Sequence, residues 1–469
     1  MIKNTKFIPQ EPVLKSILSL SIPIILANII QSMYQMTDSF WVGRLGGSAL
    51  ASVSICSPII FLTVALGIGF AIAGSTLVAQ YFGAKNYSMV SHSAAQTLLL
   101  ITFISLIFSS LGYIFAPQIL QLMGANSEIF AMALGFLRVS FLAVIFNFSF
   151  FMFQSIMRSI GRPQIPVLIV AMTALLNFFL DPLFIFGWKA IPGFGVQGAA
   201  VATLFTQGIA AIIGLAILFG GKYGVDLKIK HFAPDFKFMK KAFWIGLPTS
   251  IEQSSRNFVM TLIVSLVASF GTTAVASYGA GVNINQVAIM VGVGLAIANG
   301  TLVGQNIGAK RLDQAIKISK ISALMSFVVL SFLGFLSFIF SKNLISFFIP
   351  HDPLVIQGGS NMIRIVALSF GFVGLHMSFS NVFSAAGLTK IPMYLTIFSQ
   401  WFFQIPLSYF LSKHTQLGVN GIWIALPLTN ILASFMAYIL YLKGSWKNSK
   451  LIEHDIVSNP NITTRFTKQ

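Results

Sequence analysis

Apolar runs of helix length recur along the whole chain, separated by short clusters of Gly, Pro, Asn and charge. In order they predict spans near 16–41, 50–79, 91–115, 131–157, 165–187 and 198–220. A second set follows near 240–268, 276–304, 317–340, 359–385, 392–412 and 421–442. A membrane-crossing helix needs about 20 apolar residues, which each run supplies. The runs are continuous rather than alternating, which excludes a transmembrane β-barrel. The expected fold is therefore an all-α integral membrane protein of twelve transmembrane helices.

Composition agrees. Of 469 residues, 56% are apolar and 9% charged, against about a quarter charged in a soluble domain. Cys56 is the single cysteine, so no internal disulfide forms, and it has no neighbours at metal-ligand spacing. The net charge of +18 suggests nucleic acid at first sight, but in so apolar a chain it reads as orientation in the bilayer. Met1–Pro12 is polar and lacks a cleavage pattern, so the first span is expected to target the chain. With the N-terminus in the cytoplasm, 22 of the 29 Lys and Arg fall on the cytoplasmic side, Lys3, Lys6, Lys450, Arg465 and Lys468 among them. Only Arg44, Lys189, Lys342 and Lys413 fall outside. Both termini are thus expected in the cytoplasm of a cell inner membrane.

The chain repeats itself. Gly67–Lys85 matches Gly292–Lys310 without a gap, at an offset of 225. The same offset carries Ile22-Pro23 onto Leu247-Pro248, and an offset of 226 carries Arg138 onto Arg364 and Gly161 onto Gly387. Each half holds an even number of spans, so both enter from one side. Two six-helix bundles related by a parallel internal repeat, with a pseudo-two-fold along the membrane normal, are expected. The organisation is an N-terminal lobe 1–220, a basic linker 221–241, a C-terminal lobe 242–445 and a tail 446–469, whose part after Lys450 is expected to be dispensable.

The repeat separates scaffold from chemistry. Shared small residues read as close helix packing, and Arg138 and Arg364 as snorkelling side chains. Asp38, Asp181 and Glu252 are the acids within spans, and an intramembrane carboxylate costs at least about 2.5 kcal/mol at a helix centre. Asp38 and Asp181 map onto Ile263 and Leu407, so they belong to the first half alone. Asn177 and Asp181 share one face of the fifth span, and Pro182 leaves the carbonyl of Phe178 without its helical donor. Thr203 could add a hydroxyl. This oxygen-rich set suits Na⁺ and a proton equally well. Glu252 and Arg256, one turn apart, pair with each other or meet substrate. Gln31 and Gln154 line a cleft or satisfy backbone, Tyr34 and Met36 join the cavity candidates, and His376 reads as a packed histidine. Pro23 and Pro248 should bend their helices.

These residues are similar to a known family along nearly the whole chain. Ser21-Ile-Pro23, Thr37-Asp38-Ser39 with Gly43-Arg44-Leu45-Gly46, and Gly67–Lys85 with its repeat carry the resemblance. Arg158-Ser-Ile-Gly161, Asn177–Pro182 and Gly195-Val-Gln-Gly-Ala-Ala200 reinforce it. The chain resembles the prokaryotic MATE (multidrug and toxic compound extrusion) transporters. The resemblance implies export of organic cations and drugs driven by inward Na⁺ or H⁺, with an N-lobe cation site at Asp38, Asn177, Asp181 and Thr203. It also implies a hinge at Pro23. Arg256 stands where some members carry a functional acid, which argues against a second ion site in the C-lobe. No nucleotide-binding loop G-x-x-x-x-G-K-[ST] occurs, so neither ATP nor another cofactor is expected to drive this chain. The alternative is a lipid-linked oligosaccharide flippase of the same superfamily. Short loops poor in His and acids disfavour an intramembrane enzyme, and the two-lobed repeat disfavours a passive channel. The expected partners are the lipid bilayer and small organic cations, with no nucleic acid, and the chain is expected to act as a monomer.

Overall fold

The computed structural model describes residues 12–189, 192–449 and 451–452. Lys3, Lys6, Lys450, Arg465, Lys468 and the whole of the tail beyond residue 452 lie outside the described residues. Among the described residues every regular element is helical. The first half runs α1 (Val13–Gly43), α2 (Gly47–Gly83), α3 (Tyr87–Leu122), α4 (Ser127–Ser159), α5 (Gln164–Phe186) and α6 (Val196–Phe219). A single 3₁₀ turn, Ile229–Phe232, interrupts the linker. The second half runs α7 (Phe236–Ala268), α8 (Thr272–Gly308), α9 (Leu312–Ile339), α10 (Ser341–Phe348), α11 (Pro353–Ala367), α12 (Phe370–Ala385), α13 (Lys390–Ile397), α14 (Ile405–Lys413) and α15 (Val419–Lys443).

Each expected span is present as helix, and the chain is a multi-pass membrane protein. Nine of the helices among the described residues are long and apolar enough to cross a membrane unaided, and α11 with α12 forms a tenth span bent by 49°. The seventh, α7, is diluted by Lys237, Lys240, Lys241, Glu252 and Arg256. The eleventh is divided: a π-helical stretch, Phe398–Gln404, separates α13 from α14. Pro406 follows at once, and its ring cannot sit against the carbonyl four residues back in a regular α-turn.

The break between α11 and α12 also has a local cause. A Cβ at Gly334 of α9 would lie 2.4 Å from the carbonyl oxygen of Ala367, so that carbonyl points into the space a side chain would fill. Ser369 closes the turn by donating its hydroxyl to Val366 O at 2.8 Å, and the Asn430 amide of α15 donates to Ser369 Oγ at 3.0 Å. The short α10 occupies a stretch that the hydropathy pattern left as connection. It buries Ile345 and leaves Phe347 exposed, while Ser341 accepts from Arg364 Nε at 3.0 Å.

By packing, the described residues form two compact units: Ser19–Ser75 with Ser91–Asn257, and Thr76–Val90 with Phe258 onward plus the stretch up to Leu18. The first unit is tied where α2 meets α7. A Cβ at Gly69 would fall 2.4 Å from Ser250 N, and Ser250 Oγ donates to Leu66 O at 3.0 Å. Inside the second unit the ends of α2 and α8 cross. A Cβ at Gly83 would meet Gln305 O at 1.8 Å, and one at Gly308 would meet Gln80 O at 1.9 Å. These four positions are repeat partners at the offset of 225, so the crossing is reciprocal. Gln80 donates to Ala385 O at 2.7 Å and Thr76 to Ser384 O at 3.0 Å, fixing α2 against α12.

The repeat extends to backbone conformation. After α2 and α8 the chain turns through Lys85 (φ 57) and Lys310 (φ 58), both left-handed. Asn86 N bonds Tyr81 O and Arg311 N bonds Asn306 O, the six-to-one closure of a helix C-terminus.

Candidate functional site

The site grows from α1, α5 and α6 within the first unit. On α1, Tyr34 and Asp38 stand one turn apart and so present to the same side. Buried Tyr34 shares a 2.7 Å hydrogen bond with Thr206 of α6. Thr203, one turn before Thr206, donates to Asp38 Oδ2 at 3.4 Å. On α5, Asn177 and Asp181 are both fully buried, and the Asn177 amide donates to Asp181 Oδ1 at 2.9 Å. Asp38 and Asp181 are near enough for their charges to interact.

The oxygens outnumber the donors. Asp38 Oδ1, Asp181 Oδ2 and Asn177 Oδ1 are buried acceptors with no donor. A buried unsatisfied acceptor costs about 1–3 kcal/mol, more when charged, and two facing carboxylates repel. Both penalties are relieved by a cation lodged between them, whether a proton or a metal ion with oxygen preference. Among the described residues no group of three or more His, Cys, Asp or Glu forms, and this cluster contributes two carboxylates. Aromatic residues wall the cluster. Trp41, one turn beyond Asp38, packs edge-on against Phe178 at 6.0 Å and Phe186 at 6.3 Å, and Arg44 lies over the Phe40 ring at 4.7 Å.

Asp38, Asn177, Asp181 and Thr203, expected as one site, are brought together in this way. Tyr34, expected in the substrate cavity, is instead hydrogen-bonded into this cluster, and Thr206 was not singled out. Its i,i+3 relation to Thr203 is the signal that could have marked it. The other cavity candidates are placed separately. Gln31 is half-buried and Met36 is 63% exposed. Buried Gln154 accepts from the Arg158 guanidinium one turn on. Glu252 and Arg256 form an ion pair at 2.9 Å. Pro23 lies inside α1, which runs as a single helix from Val13 to Gly43.

The MatE family pattern matches residues 23–183 and again residues 248–410, one copy in each half. The chain belongs to the MatE family. It is a membrane transporter and not an enzyme. Its relatives include the Probable multidrug resistance protein YoeA of Bacillus subtilis, 26% identical over 92% of this chain and 93% of that one. A FAD transporter of Shewanella oneidensis is also 26% identical, over 92% of this chain and 95% of its own length. Among solved structures, an outward-facing multidrug resistance MATE family transporter of the MOP superfamily superposes with a TM-score of 0.87. That match is 24% identical and covers 93% of this chain and 97% of the other, so it speaks for the fold. With this MatE architecture, twelve spans in two lobes, the cluster's two carboxylates, Asp38 and Asp181, lie in the first copy of the repeat alone.

Proposed function

We propose that this MatE protein is a secondary active exporter of drugs and organic cations, exchanging them for Na⁺ or H⁺ by alternating access. The coupling site is the cluster of Asp38, Asn177, Asp181 and Thr203, extended by Tyr34 and Thr206. The observation that carries this reading is the surplus of buried acceptors between Asp38 and Asp181. The cluster holds a cation in one state and is strained without it, which links its occupancy to conformation. An ion moving through 100 mV supplies about 2.3 kcal/mol, comparable to the cost of at least about 2.5 kcal/mol for one intramembrane carboxylate. The multidrug names of several relatives support the substrate class. The FAD transporter marks the range of the family, so the assay must include an anionic compound.

In this reading the N-terminal lobe, 1–220, carries the ion site, and the C-terminal lobe, 242–445, completes the path for substrate. The linker 221–241, the tail 446–469 and both termini face the cytoplasm, and one chain suffices. Pro23 acts as hinge, letting the start of α1 move relative to Asp38. The Glu252–Arg256 pair leaves the seventh span without a free carboxylate, so a single ion site operates.

The test uses purified protein in liposomes loaded with a fluorescent organic cation or, in parallel, a fluorescent organic anion, with Na⁺ and pH gradients imposed separately. Export driven by one gradient is expected, and Asp38→Asn or Asp181→Asn is expected to abolish it while leaving folded protein in the membrane. Wild-type transport by either variant would sink the ion-site assignment. Absence of movement under both gradients would defeat the drug-export reading and favour the lipid-linked flippase.

A further inference from the structure

The basic linker is neither loose nor merely a connection. Its start is held at Leu218, whose carbonyl accepts from Leu227 N at 3.2 Å, and Ser91 Oγ of α3 accepts from Asp226 N at 3.0 Å. Gln96 of α3 then grips the segment. Its amide donates to both His231 O and Ala233 O at 2.8 Å, and its oxygen accepts from Asp235 N at 2.9 Å. Asp235 in turn caps α7 by accepting from Phe238 N at 3.0 Å and faces His92 at 3.3 Å.

This rigid strap displays side chains that water does not favour. Ile229 is 88% exposed and Phe236 78% exposed. Phe219 and Phe232 stack at 5.7 Å, and Trp244, about two turns beyond Phe236 along α7, is exposed. Around them stand Lys222, Lys228, Lys230, Lys237 and Lys240, all exposed. The acids of the segment are already engaged, Asp226 with Lys228 at 3.2 Å and Asp235 as described. Burial, with Lys230, His92 and Lys228 adding to it against the opposing pull of Asp226, pushes His231 below its ordinary value, so it adds no charge at neutral pH. Exposed apolar side chains ringed by lysines at the foot of a span match a charged bilayer interface, where rings enter the headgroup layer and ammonium groups meet phosphates.

We infer that the linker is a docking surface for anionic phospholipid, seating Ile229 and Phe236 in the headgroup layer and using the exposed Lys222, Lys237 and Lys240 to hold lipid phosphates, with Lys228 and Lys230 adding to the positive field. This goes beyond the transport reading and does not depend on it. Each lysine contributes about fivefold to the preference for an anionic surface, screened by salt.

The test places an environment-sensitive fluorophore on Ile229→Cys in full-length Cys56→Ala protein, with Phe236→Cys as a second site. Vesicles are of neutral phosphatidylcholine or of phosphatidylcholine with phosphatidylglycerol. In anionic vesicles both probes are expected to shift to the blue and to be quenched by spin-labelled lipid. Replacing Lys222, Lys228, Lys230, Lys237 and Lys240 by Gln should remove that dependence. Native mass spectrometry of the wild type should show retained phosphatidylglycerol in excess over phosphatidylcholine, a readout that needs no variant to fold. Water-like emission at either site in anionic vesicles overturns the inference. So does immersion that is equal in neutral vesicles, or equal retention of the two lipids.

Discussion

The reciprocal crossing of α2 and α8 makes a prediction whose sign runs against helix propensity. Replacing a helical glycine by alanine ordinarily stabilises by about 0.5–1 kcal/mol. At Gly308 the new Cβ would sit 1.9 Å from Gln80 O, and at Gly83 1.8 Å from Gln305 O, with backbone atoms as the obstacles. To reach even a tight contact of 3.0 Å the two helices must part by about 1 Å, and overpacking of this kind costs about 1–3 kcal/mol. The clash should win. Gly279, on the same helix, would meet nothing within 4 Å, so Gly279→Ala keeps the propensity gain alone. Trp423 and Trp446, both fully buried in the second unit, report its unfolding by intrinsic fluorescence. Gly308→Ala and Gly83→Ala should each lower the thermal midpoint by several degrees, at about 2 °C or more per kcal/mol, while Gly279→Ala raises it. The double variant Gly83→Ala with Gly308→Ala should cost less than the sum, because one displacement accommodates both new methyls. The argument fails if Gly308→Ala is as stable as Gly279→Ala, or if the two penalties add in full.

Further predictions concern the linker, the helix ends and the ion cluster. His231 accepts from Lys228 N through Nδ1 at 3.2 Å and is pushed below its ordinary 6.5 chiefly by burial. Its neutral form therefore stabilises the strap at a pH above 6.5, and that stability is lost as pH falls toward the lowered value. Limited proteolysis between Lys222 and Lys241 should accelerate under mild acid, and His231→Gln should flatten the dependence. Gln96→Leu removes three hydrogen bonds from the same strap and should expose it to protease even at neutral pH. Lys85→Gly and Lys310→Gly relieve left-handed backbone worth about 1 kcal/mol each, to be read as a higher thermal midpoint. Tyr34→Phe deletes the bond to Thr206 and should weaken coupled transport, measured against the same ion gradients, without unfolding the protein.

Much of this was legible in the sequence for definite reasons. Span number and length follow from apolar runs, because in lipid a helix satisfies its own backbone. The repeat was legible because Gly67–Lys85 and Gly292–Lys310 serve the same tight crossing, where few residues fit. The Asn177–Asp181 bond follows from i,i+4 spacing. Its meeting with Asp38, some 140 positions earlier in the chain, is tertiary and was expected through family resemblance rather than spacing. The break at Leu368–Ser369 escaped the hydropathy pattern because it depends on Gly334 and Asn430, which reach it from other helices. The π stretch escaped for a subtler reason: Pro406 announces a disturbance but does not say whether the helix will bend, stop or widen. Gln154 also shows the limit, since a polar residue in a span is equally ready to line a cleft or to hold the next arginine.

The two left-handed lysines have a consequence for biogenesis. Glycine would relax the backbone at residues 85 and 310, yet both copies place a cation there. Six spans separate the two positions, so both must emerge on the same side of the bilayer. In the proposed topology, with both termini cytoplasmic, each copy would carry a positive charge at the cytoplasmic end of its second span, the side on which loop cations accumulate.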